Sequence, residues 1–133
     1  MNKRTLLIGF AIGMLAIAAL ACESSVSTAN IASATLSTDG TAASATTSFT
    51  PDQTFYVVVD LANAPDTTKV KAVWYTVDDA GAATKIAEKE IVGSGTPISF
   101  NASNNAGPWP VGKYRVELYL NDTLNKTLDF TVQ

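Results

Sequence analysis

Apolar positions along this chain follow two different rules. Residues 5–20 form an unbroken apolar run behind a short basic start, Asn2, Lys3 and Arg4. From Phe49 onward, runs of β-branched and aromatic residues recur every 8 to 12 residues or so, with turn residues between them, the signature of a β-sandwich or barrel. These runs predict strands over residues 53–62, 69–78, 85–92, 96–101, 113–121 and 124–132. Asn63-Ala64-Pro65-Asp66, Asp78-Asp79-Ala80-Gly81, Gly93-Ser94-Gly95, residues 104–110 and Asn121-Asp122-Thr123 supply the punctuation. Residues 30–38 carry Ile31 and Leu36 among small β-tolerant residues before Asp39-Gly40, and predict a marginal first strand. The expectation is all-β, with about seven strands and a loose loop over residues 39–47.

A period of two sorts the faces of each strand. Phe55, Val57, Val59 and Leu61 are predicted to point inward, with Tyr56, Val58 and Asp60 outward. Val70, Ala72, Trp74 and Thr76 form the inward set of the next strand, and Tyr114, Val116, Leu118 and Leu120 that of another. Ile98, Phe100, Leu128, Phe130 and Val132 complete the expected core. Ile86 and Ile91 are out of phase within residues 85–92, which predicts a bulge or a strand that switches sheets.

The N-terminal pattern ends at Ala19-Leu20-Ala21-Cys22, which holds the only cysteine of the chain. This segment resembles the lipobox of bacterial lipoproteins, although Leu and the small residue at the second and third positions before the cysteine are exchanged. The resemblance implies a cleaved N-terminal signal helix (residues 1–21), a lipid on Cys22, a flexible tether (residues 22–29) and a domain over residues 30–133. It further implies export and anchoring at the outer membrane or outer cell surface.

Removal of the first 21 of the 133 residues leaves 112, one domain's worth. Loss of Lys3 and Arg4 moves the net charge from −3 to −5, a balance that disfavours nucleic acid. With Cys22 lipidated, no thiol remains for a disulfide or a thiolate metal site.

Trp74 within the second strong strand, followed some forty residues later by Gly112-Lys113-Tyr114-Arg115-Val116, resembles the immunoglobulin-like and fibronectin type III-like sandwiches. The resemblance implies a core role for Trp74 and a tyrosine corner at Tyr114. Val116, with Val57 or Val59, stands where the family's disulfide would be.

Candidate chemistry is sparse. The chain has no histidine, no phosphate-binding glycine loop, no nucleophile elbow and no zinc spacing, so the expectation is a non-catalytic protein without cofactor or metal. Asp78 and Asp79 at a hairpin tip, with Asp66 on another loop, are the oxygen-rich positions a hard cation would use, and equally what a solvated turn carries.

If Trp74 and Tyr114 face the core, Tyr75 and Tyr119 face outward with Val73, Lys71, Arg115 and Glu117, a candidate binding face. Trp109, between Pro108 and Pro110, is either a sugar-stacking loop contact or a lid under the core. The expected function is a membrane-anchored module that binds or scaffolds a protein partner at the cell envelope. A carbohydrate-binding module that engages polysaccharide, and a structural spacer or assembly subunit, are the alternatives.

Overall fold

The computed structural model describes residues 28–133. The expected signal segment, Cys22 and the tether up to residue 27 lie outside the described residues. Among the described residues, eight strands form two sheets: β1 (Asn30–Ser37), β2 (Ser48–Phe49), β3 (Phe55–Ala62), β4 (Lys69–Val77), β5 (Ala83–Val92), β6 (Ile98–Ala102), β7 (Gly112–Leu120) and β8 (Thr123–Val132). One sheet runs β1-β3-β6 and the other β2-β8-β7-β4-β5. All pairings are antiparallel except that of the two-residue β2 with the end of β8.

The two sheets close over one core to which both contribute. Phe55 is its hub: its ring lies 4.5 to 6.1 Å from those of Phe49, Trp74, Trp109, Tyr114 and Phe130. Edge-on and stacked pairs at these separations stabilise beyond the area they bury. The predicted inward sets are buried, except that Leu61, Thr76 and Leu128, near strand or sheet margins, are half-buried.

Two sequence expectations are corrected. Residues 39–47 do not form a loose loop: Asp39 accepts hydrogen bonds from the hydroxyls of Ser37, Thr41 and Ser44 at 2.7 to 3.1 Å, and a 3₁₀ turn spans Ala42–Ser44. Gly40, at φ +83°, lies so close to Tyr56 that a Cβ there would stand 3.3 Å from the ring. The strand count rises to eight because Ser48–Phe49 pairs with β8, burying Phe49.

The phase break in β5 is a bulge. Trp74 pairs with Ala87 and Tyr75 with Lys85, leaving Ile86 as the extra residue. Ala87, Lys89 and Ile91 thereby share the inward face with Trp74, Ala72 and Val70. At the β7–β8 hairpin, Asn121 (φ 50°) and Asp122 (φ 70°) both adopt left-handed backbone, the geometry of a two-residue type I′ turn.

Candidate functional site

The registers bring the expected outward residues together on adjacent strands. Lys71 lies directly opposite Tyr119, Val73 opposite Glu117 and Tyr75 opposite Arg115. The Tyr119 hydroxyl donates to Glu117 Oε1 at 2.9 Å, and Lys71 Nζ sits 4.9 Å from the centre of the Tyr119 ring, a cation–π contact. Arg115 Nε donates to Asp129 Oδ1 at 3.0 Å across to β8.

Val73 is placed differently from the expectation of an exposed contact residue. It is only 4% exposed, on the outward side of the sheet, because the longer side chains around it cover it. It is the floor of the face, and Lys71, Tyr75, Arg115, Glu117 and Tyr119 are its half-buried surround.

The charge on Glu117 organises the two phenols. Its hydrogen bond with Tyr119, aided by some burial and by its charge, pushes that phenol up to about 12. Tyr75 is raised as well, first by burial and then by hydrogen bonding and charge from Glu117. Tyr119 is thus the donor to Glu117, with Tyr75 close enough to feel the same carboxylate. Such a surface offers apolar ring area, a cation and directed hydrogen bonds, the ingredients of a protein contact.

Toward the β4–β5 hairpin the same face deepens into a cleft of about 620 Å³ lined by Val77, Asp79, Lys113, Arg115, Asp129 and Gln133, among others. No sequence signal pointed to it. Ser48 of β2 and Gln133 form part of its wall, and Gln133 N donates to Phe49 O at 2.9 Å.

The aspartates do not converge. Asp78 Oδ1 accepts the backbone N–H groups of Ala80 and Ala82 at 2.9 and 2.8 Å, which shapes the hairpin. Asp66 accepts from Ser94 Oγ at 2.7 Å beyond the opposite end of β4 from Asp78 and Asp79. Among the described residues, no three acidic side chains gather as a metal would require.

Trp109 is a lid. It is 8% exposed, its ring stacks on Phe55 at 4.5 Å and 15°, its Nε1–H donates to Gln53 O at 3.0 Å, and its backbone N–H donates to Pro51 O at 2.8 Å. One ring face is thus covered by Phe55, and the 8% exposure leaves little of the indole for a sugar to stack on. Trp74 is buried in the core, and the Tyr114 hydroxyl donates to Pro110 O at 2.6 Å.

The chain matches no protein-family model and no curated protein.

Proposed function

We propose that this chain is a lipid-anchored, extracytoplasmic module of immunoglobulin-like fold that binds or scaffolds a protein partner at the bacterial cell envelope, without chemistry of its own. The fold assignment is supported by three features. Tyr114 bonds back to a carbonyl four residues upstream, as a tyrosine corner does. Trp74 lies in the core on β4, and Val116 is fully buried together with Val57 and Val59, either of which would stand in for the other half of the usual disulfide. The division of β3 and β6 from β4, β7 and β8 also follows that architecture. The anchor is supported by the N-terminal pattern ending at Cys22.

The observation that carries the binding role is the β4–β7 face, where Tyr119, Lys71 and Glu117 are held in fixed relation beside Val73, with Tyr75 on the same face. Pre-ordered side chains lose less freedom on association, so affinity is gained without large area. Burial of Trp109 removes the main platform of the sugar-binding alternative.

The test is photo-crosslinking in living cells from a probe at Tyr75 in the full chain. Capture of one defined protein supports the reading. Capture of polysaccharide alone favours a carbohydrate module, and silence at both Tyr75 and Trp109 favours a spacer. Incorporation of an alkyne-bearing fatty acid, lost in Cys22→Ser, tests the anchor separately.

A further inference from the structure

The sheets are unequal, and the mismatch lies on one flank. β1 lies against β8, so the strand orders run in the same sense and β6 falls on the same side of the molecule as β5. The five-stranded sheet overhangs there: the inward face of β5, with Ala87, Lys89 and Ile91, has no fourth strand of the smaller sheet opposite it.

The strand edges differ in their protection. β5 carries a bulge at Ile86 and the charges of Lys85, Glu88, Lys89 and Glu90, the usual devices against strand addition. β8 is bulged between Leu118 and Tyr119 of its partner and bears Lys126 and Asp129 on its free stretch. β1 is bulged between Ile31 and Ser33, and its far end is covered where Ser37 bridges Ala45 and Thr46 N donates to Leu36 O. β2 is two residues long.

β6 has none of these. Ile98-Ser99-Phe100-Asn101-Ala102 is regular, uncharged and, among the described residues, paired on one side only, with β3. All seven basic residues among the described ones lie on the other sheet, and the only charge on β1, β3 and β6 is Asp60, whose carboxylate accepts from Ser33 Oγ and Thr96 Oγ1.

We propose that the free edge of β6 accepts an extended strand of a partner protein, which becomes the fourth strand of the smaller sheet. Alternate side chains of that strand would face inward, over Ala87 and Ile91. Lys89, on the inward side of exposed β5, has no ion pair among the described residues, and it selects a strand with a carboxylate at an inward position. The main-chain hydrogen bonds supply attachment and the inward pockets and charge supply choice. This surface is separate from the β4–β7 face, on the other sheet, and stands or falls independently of it.

The probes are two ten-residue peptides of alternating Val and Thr, one with a central inward Asp and the other with Lys there. Amide hydrogen exchange of the full chain is followed with each. At a peptide concentration about ten times the dissociation constant, the Asp peptide should slow exchange within Ile98–Ala102 about tenfold, with the Lys peptide weaker. In Lys89→Glu, an exposed edge substitution that leaves the core untouched, the preference should reverse. Protection at β1, β5 or β8 instead, equal response to both peptides, or no protection overturns the proposal. Protection of β6 that rises with protein concentration in the absence of peptide also overturns it, and assigns the edge to a second copy of this chain.

Discussion

Tyr119 and Glu117, two residues apart on β7, share a 2.9 Å hydrogen bond on the outward face of the larger sheet, and the bond ties a phenol to a carboxylate that resists its ionisation. Tyr119 should therefore titrate near 12 in the folded protein, against the ordinary 10. Because the folded value is the higher one, the associated stability is intact below pH 10 and is lost as pH rises from 10 to about 12. Spectroscopic titration of phenolate should show Tyr119 ionising late, with Tyr75 and the buried Tyr114 also delayed, and Glu117→Gln should bring Tyr119 back toward 10. A Tyr119 that ionises with the free amino acid would refute the arrangement.

Asp39 gives the opposite sign at the acid end. The hydroxyl of Ser44, then the hydroxyl and backbone N–H of Thr41, hold it at about 2 rather than 3.8. Its contribution is fully present above pH 3.8 and disappears as pH falls toward 2. Denaturant unfolding of Asp39→Ala should show lower stability than the wild type at pH 7, with the gap closing near pH 2. Proteolysis within residues 39–47 should also quicken at neutral pH.

The Trp109 lid and the Tyr114–Pro110 hydrogen bond predict a graded pair. Trp109→Ala removes a ring stacked on Phe55 and a hydrogen bond to Gln53 O, and should cost about 3–5 kcal/mol in equilibrium unfolding. Tyr114→Phe keeps the ring and loses only the bond to Pro110 O, for about 1 kcal/mol. Equal effects of the two would mean that the indole is not packed as described.

At the β7–β8 hairpin, Asn121 adopts left-handed backbone and its Oδ1 accepts from Lys69 N at 2.9 Å. Asn121→Ala should destabilise by about 1–2 kcal/mol through backbone strain and the lost bond. Asp122→Gly should be near neutral, since it relaxes a residue at φ 70° while removing only an exposed ion pair with Lys69. Thermal unfolding of both variants gives the comparison.

The strands were legible because alternation is a local property. The out-of-phase Ile86 and Ile91 pointed to a bulge or a switch of sheets, and the structure has a bulge that leaves Ile86 unpaired while Ile91 faces inward. β2 was hidden because two residues carry no period, and Ser48–Phe49 becomes a strand only when β8 arrives beside it. The ordering of residues 39–47 had a local signature in Ser37, Asp39, Thr41 and Ser44, whose short side chains satisfy one another. The face around Tyr75 and Tyr119 was readable from parity. The burial of Val73 was not, because it depends on how far neighbouring side chains reach across two strands.

The register Asn30↔Ala62 fixes where the polypeptide enters the folded body: at the end that also holds residues 63–68, residues 93–97 and the Asn121-Asp122 turn. A nine-residue strand such as β4 is about 30 Å long. Under the proposed anchor, that first end is the root, and the Trp109 lid, the Asp78-Asp79 tip and the 620 Å³ cleft form a crown about 30 Å farther from the lipid. The Tyr75 and Tyr119 face and the β6 edge then lie along the sides between root and crown, so neighbouring molecules on the same membrane meet them side-on, while anything arriving from outside first meets the crown.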